Sequence, residues 1–325
     1  MRDGRIDSLK SVLIALVVWG HCFLYGNPQD GVKLVIANYV YLFHMPFFVF
    51  LSGYFTHVNN TSFWKGMLAI LESYVVFQLI KGFLQGYSII DYLTTPAPMM
   101  WYLLALLIWR LFAYFINRIN NSKTNNVIIL ALLFLTGLMV GFVDGIGKTF
   151  ALSRVIVFAP FFWLGYILSG KDFVSVCKKT PWQLALIILI LPIILVALLT
   201  PSEIINVREV VRGASGYGGS VLGLVARACL YILAFVMSVS LTSILSETKL
   251  LSEVGRDSLK YYLFHGILLS VMVFLKLPWN WYFAIVYGAL LMTFLYFFNK
   301  TKLSDFAIRP ISYTIDYIKS RKSNN

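Results

Sequence analysis

Residues 5–25 read RIDSLKSVLIALVVWGHCFLY, and everything else in the chain follows from how this stretch is understood. Beyond Lys10 it carries no acid and no base except His21. Its length matches the roughly 20 residues that a helix needs to cross the hydrocarbon core of a bilayer. A basic start before an apolar run also opens secretory leaders. Here, however, Trp19, His21, Cys22 and Tyr25 stand where the small residues of a cleavage site would be. The stretch is therefore expected to stay in the protein as a first membrane helix.

Working outward, the same pattern repeats. Apolar runs are found at roughly 8–26, 33–56, 67–86, 98–117, 126–143, 152–169, 182–200, 217–245, 258–276 and 279–298, with ends uncertain by a few residues. Of the 325 residues 59% are hydrophobic and 13% charged, about half the charged fraction of a soluble domain. The expected fold is all-α, a polytopic transmembrane bundle of about ten spans. It forms a single membrane-embedded domain over 1–325, with a basic tail at 299–325. No repeat of one half in the other is visible, unlike many transporters. Gly137-x3-Gly141 and Gly219-x3-Gly223 suit close internal helix packing rather than a dimer interface, so no oligomeric state is assigned.

The net charge of +13 does not point to nucleic acid, because the basic residues lie between apolar runs without interleaved aromatic patches. They fit cytoplasmic loops facing anionic lipid. With the N-terminus inside, Lys33, Lys148, Arg154, Arg208, Arg212 and Lys276 face outward, and Lys81, Arg110 and Arg227 fall within spans. The remaining 18 of the 27 lysines and arginines, Arg2 and the tail included, face inward. Both termini and the 170–181 loop are thus expected in the cytoplasm. Ile311, Ile315 and Ile318 recur at helical spacing in the tail, which is either a short amphipathic helix on the inner leaflet or a disordered basic segment. The three cysteines, Cys22, Cys177 and Cys229, form no disulfide or metal pattern.

Ionisable groups inside a membrane are costly unless paired or hydrated, so each is a candidate functional group. Three of the four histidines, His21, His44 and His265, fall within spans, while His57 lies at a span end. Asp7, Lys10 and His21 form D-x-x-K-x10-H. The separation of Lys10 and His21 is close to three turns, so they share a helix face about 16 Å apart. Pro46 and the Ser52-Gly53 pair are expected to interrupt the second span, as happens where helices line a cavity. Arg227 needs a partner or water: it either faces the cavity or only pairs with Glu72 of the third span.

These residues, with Gly20 before His21 and FHMPFFVFLSGYF at 43–55, resemble the acyltransferase-3 family of integral membrane acyltransferases. Trp101-Tyr102-Leu103, Arg154 ahead of Pro160-Phe161-Phe162, and Tyr261-Tyr262-Leu263-Phe264-His265 agree in order, so the resemblance covers about residues 5 to 300. It looks nearest to the branch grouped with fucose O-acetylases, where lysine replaces the arginine of the wider family's R-x10-H motif. Lysine offers a point charge instead of a bidentate fork. No hydrolase-like extension follows the last span, which resembles the short, membrane-only form.

The resemblance implies transfer of an acetyl group from cytoplasmic acetyl-CoA to a hydroxyl of a surface or capsular glycan, or of its lipid-linked precursor. It implies a multi-pass protein of a bacterial plasma membrane with no permanently bound cofactor and no metal. A sugar hydroxyl attacking a thioester needs a base with pKa near neutrality, which histidine supplies. His21 is the expected base, or alternatively a transient acyl carrier. His44 is expected to orient the acceptor or stabilise the oxyanion; for His265 that role and a structural hydrogen bond stay open. Lys10 is expected at the donor, and Asp7 among the substrate-binding residues. Arg154, Trp101 and Ser52 complete the substrate-binding set, with Arg154 either on the acceptor or on the thioester carbonyl. Lys65, Arg118, Lys249 and Arg256 are further candidates for CoA, and the 201–216 connection with Glu203, Arg208, Glu209 and Arg212 for glycan. A glycan transporter or flippase is the competing class.

Overall fold

The computed structural model describes residues 3–25, 31–119, 122–143, 145–147, 149–201, 207–214, 216–217 and 220–323. Arg2, Lys148, Glu203 and Gly219 lie outside them. Among the described residues all regular structure is helical. The helices are α1 (Gly4–Leu24), α2 (Gly31–Tyr41), α3 (His44–Tyr54), α4 (Phe63–Leu84), α5 (Ile89–Thr94) and α6 (Trp101–Ile119). There follow α7 (Lys123–Met139), α8 (Leu152–Ile167), α9 (Phe173–Cys177), α10 (Trp182–Leu199), α11 (Val207–Arg212) and α12 (Val221–Ile244). The chain finishes with α13 (Lys249–Arg256), α14 (Ser258–Phe274), α15 (Trp281–Phe298), α16 (Lys302–Ile308) and α17 (Pro310–Ser323).

Nine helical stretches among the described residues are long and apolar enough to cross a membrane, and α2 with α3 counts as one of them. The 17-residue α14 is shorter but equally apolar in character. Together they make the ten expected crossings, alternating in direction, so the bundle has an N-terminal end and an opposite end. α1 is central, packed against α2, α3, α13, α14 and α15. α10 is peripheral: Ala185, Pro192 and Val196 are its buried residues, and most of its other apolar side chains are exposed. Water cannot be the neighbour of such a surface, but lipid can.

The second span breaks, yet not where expected. The chain leaves helix at Leu42–Phe43 and resumes at His44, which puts Pro46 in the first turn of α3, where a missing N–H costs nothing. Ser52 and Gly53 remain helical. Gly53 instead lets α3 close on α8: a Cβ there would collide with the Phe162 carbonyl, and one at Gly165 with the Phe50 carbonyl. Within α8, Pro160 disturbs the backbone ladder one turn back. The carbonyls of Val155 and Val157 accept from the Trp109 indole (2.9 Å) and the Tyr231 hydroxyl (2.7 Å). Gly137, Gly141 and Gly223 seat Tyr231 and Tyr217, which is internal packing.

The N-terminal end is tied by polar contacts. Asp3 caps α1 by accepting from the Arg5 amide at 3.0 Å, and the Arg5 guanidinium holds the Asp3 carboxyl below the usual carboxylate range. α17 is a helix with Ile311, Ile315 and Ile318 exposed. Of the two readings of Arg227, pairing with Glu72 does not occur. Glu72 accepts from the Ile311 and Ser312 amides and from the Ser312 hydroxyl at the start of α17, where a carboxylate complements the helix dipole. Arg227 instead lies 4.7 Å over the Tyr217 ring, fully buried.

Candidate active site

A cavity opens towards each end of the bundle. At the N-terminal end a cleft of about 210 Å³ is lined by Lys10, Phe48, Leu51, Ser52, Phe55, Leu106, Arg110 and Ser258. Lys10 Nζ lies 3.3 Å from Asp7 and 4.1 Å over the Phe55 ring. Asp7 is buried because Gly255 of α13 packs directly on its backbone carbonyl. Of the basic residues singled out for CoA, Lys10 alone lines this cleft; its companion is Arg110.

At the opposite end lies a cavity of about 1040 Å³. Its floor includes His21, Tyr41 and Met45, its walls Trp101, Phe158 and Arg154, and its rim Arg208, Glu209 and Arg212. The connection at 95–99, another wall, is clamped to α4: Gln78 donates to the Thr95 carbonyl and accepts from the Ala97 amide at 2.7 Å. Met99, Phe150 and Ala151 all adopt left-handed φ (75°, 51° and 51°) where these connections enter α6 and α8. Such backbone is held only by its surroundings and gathers at functional sites. Arg154 sits one turn into α8, 5.2 Å over the Trp101 ring, which itself stacks on Phe158.

The three intramembrane histidines come together beside this cavity. His21 Nδ1 is 3.1 Å from His265 Nε2. His265 Nδ1 is 2.9 Å from the Tyr261 carbonyl, and His44 Nδ1 is 2.6 Å from the Val40 carbonyl. A carbonyl only accepts, so both of those Nδ1 atoms carry hydrogen. His265 Nε2 is then a lone pair, and His21 Nδ1–H donates to it. The remaining nitrogen of His21, Nε2, is left as the basic one. His44 is fully buried behind Tyr41, ring to ring at 4.7 Å, and its Nε2 has no hydrogen-bond partner among the described residues.

Ser52 and Tyr102 stand between the two openings. The Ser52 hydroxyl donates to the Phe48 carbonyl (2.8 Å) and pairs with the Tyr102 hydroxyl at 2.5 Å. Tyr102 meets the Tyr262 ring at 5.4 Å, and Tyr262 meets His265 at 6.0 Å. A polar and aromatic partition thus runs from the Lys10 cleft to the histidine pair.

Lys81, Arg110, Tyr41, Tyr102 and Tyr262 join the site without a motif that assigns them a role. Lys81 is 1% exposed, with Nζ 3.7 Å from Met99 Sδ and pressed against Gly266, the neighbour of His265. The signal for Lys81 and Arg110 was present, since both are charges inside spans. The tyrosines had none, being three among 19. His57 lies apart from the site, exposed, 3.3 Å from the Ser169 hydroxyl. The three cysteines are free, and among the described residues no group of histidine, cysteine and acid side chains is arranged to hold a metal.

Nine long apolar stretches with α14, packed around a His21–His265 pair that borders the large cavity, define a multi-pass membrane protein. The family description that matches residues 3–300 is an acyltransferase domain, and the chain belongs to the acyltransferase-3 family of membrane acyltransferases. No curated protein and no solved structure matches it.

Proposed function

We propose that the protein moves an acetyl group from acetyl-CoA, admitted at the Lys10 cleft on the cytoplasmic side, to a hydroxyl of a glycan or lipid-linked saccharide held in the large cavity. The observation that carries this is the His21–His265 hydrogen bond, because it fixes the tautomer that leaves His21 Nε2 basic. The acceptor O–H bond breaks as its oxygen attacks the thioester carbonyl carbon, and the proton passes to His21 Nε2. The tetrahedral intermediate collapses with loss of the C–S bond. The departing thiolate takes the proton back from His21, giving free CoA and an O-acetyl ester. His265 holds the imidazolium that forms between the two steps. His44 stands behind Tyr41 and outside the cavity lining, so it suits positioning that ring against the acceptor rather than contacting the acceptor hydroxyl itself.

Lys10 supplies a point charge for a CoA phosphate, with Arg110 on the opposite wall of the same cleft. The placement with fucose O-acetylases rests on Lys10 and belongs to the same proposal, as do a bacterial plasma membrane and a single domain with cytoplasmic termini. The test is transfer of labelled acetyl from acetyl-CoA to isolated surface glycan by protein in nanodiscs. His21→Gln should lose about 10²–10⁴-fold, the usual worth of general-base catalysis, while melting like the parent. Undiminished transfer in His21→Gln refutes the base. Glycan movement across vesicles with no acetyl transfer refutes the enzyme.

A further inference from the structure

The rim of the large cavity is unusually one-sided in charge. Arg208 and Arg212 are four residues apart on α11, so they share a face. Val207, Val210 and Val211 of the same helix are buried, which pins its apolar face to the bundle and leaves the arginine face to the cavity. Arg154 joins them from α8, close enough to feel the charge of Arg212. Among the described lining residues the acid is Glu209 alone, and no asparagine or glutamine is present. Three guanidinium groups therefore stand against one carboxylate.

That charge among the described lining residues favours an anion over a neutral sugar. Hydroxyls donate and accept alike, so a pocket built for them mixes carboxylates and amides with its donors. Guanidinium only donates, in a rigid fork that matches carboxylate and phosphate oxygens. The arginines also repel one another, and Arg208 Nε is buried without a hydrogen-bond partner among the described residues. Holding like charges together in a half-buried cavity is unfavourable until an anion arrives.

We infer that the cavity takes an anionic acceptor: a saccharide bearing a carboxylate or phosphate beside the hydroxyl to be modified, clamped by Arg154, Arg208 and Arg212. The inference rests on the proposed acyl transfer only in calling this ligand the acceptor. The anion has two possible sources, a uronate within the glycan or the diphosphate of a lipid-linked precursor.

The experiment compares three probes on nanodisc protein: a glucuronate-containing tetrasaccharide, a polyprenyl-diphosphate disaccharide and neutral maltotetraose. Binding and labelled acetyl transfer are measured separately for wild type and for Arg208→Gln/Arg212→Gln. At least one anionic probe should bind at least tenfold tighter than maltotetraose. The double variant should lose roughly 10–100-fold for that probe, as expected for lost charge-assisted hydrogen bonds. Which anionic probe wins names the source. Equal binding of all three probes by wild type overturns the inference, and so does an anion preference that survives in the double variant. Competition between the anionic probe and CoA at these arginines also overturns it, because they would then hold the donor. Should the double variant melt early, the single variant Arg208→Gln is judged by the same ratio. Anion binding that depends on the arginines, without acetyl transfer to any probe, would sustain this site and refute the enzymatic proposal.

Discussion

His265→Ala tests the histidine pair most directly. It removes the acceptor 3.1 Å from His21 Nδ1 in a place where His265 is fully buried. A buried donor left without its partner costs about 1–3 kcal/mol. At one tenfold change per 1.36 kcal/mol, kcat should fall about 5- to 160-fold. The loss belongs in kcat rather than KM, because the bond is strongest when His21 carries the transferred proton and the contact becomes charge-assisted. His265→Gln keeps a side-chain acceptor and should stay within about tenfold of wild type, since a neutral hydrogen bond contributes only about 0.5–1.5 kcal/mol. The assay is steady-state acetyl transfer with saturating acetyl-CoA, paired with thermal melting to separate catalysis from the cavity that alanine leaves. Wild-type kcat in His265→Ala refutes the tautomer argument. Loss in His265→Gln as deep as in His21→Gln refutes the positioning role and makes His265 itself a proton carrier.

Lys10→Ala should weaken acetyl-CoA binding with acceptor affinity unchanged, and Lys10→Arg should keep most activity; titration calorimetry with CoA decides, and an unchanged dissociation constant in the alanine variant removes Lys10 from the donor site. Gly53→Ala puts a methyl group onto the Phe162 carbonyl and should lower the melting temperature by the equivalent of about 1–3 kcal/mol of overpacking. Gly31→Ala meets nothing within 4 Å and should melt like wild type, so equal melting of the two variants refutes the close α3–α8 approach. Lys81→Met replaces a buried charge by a side chain of similar length, a change that is neutral or stabilising by about 1–4 kcal/mol where the charge is only tolerated. Melting should therefore hold or rise, and a lower melting temperature would mark the Lys81 ammonium as a structural contact.

The crossings were legible because a bilayer punishes polar backbone and charge at every depth, so hydropathy alone separates α10 or α12 from the connections. The Lys10–His21 spacing was legible because a helix converts residue number into distance. Less could be read where two helices decide jointly. Gly53 is a helix breaker only in isolation; facing Gly165, it is a contact point, and the break moves to Leu42–Phe43. Glu72 offered itself to Arg227 on charge alone, whereas the free amides of α17 were the nearer need. The pairing of His21 with His265 joins residues 244 apart, and no local pattern marks it.

The partition of Ser52, Tyr102 and Tyr262 bears on more than catalysis. A protein open to both sides of an energised membrane would short-circuit it, each elementary charge that slips through forfeiting about 2.3 kcal/mol per 100 mV. Here the Ser52–Tyr102 hydroxyl pair and the Tyr102 and Tyr262 rings stand between the Lys10 cleft and the His21 cavity. Any acyl arm reaching His21 from the Lys10 cleft has to displace those rings and be sealed in by them. If acyl transfer runs between the two cavities as proposed, the parting and closing of those rings would make the catalyst double as an electrical insulator.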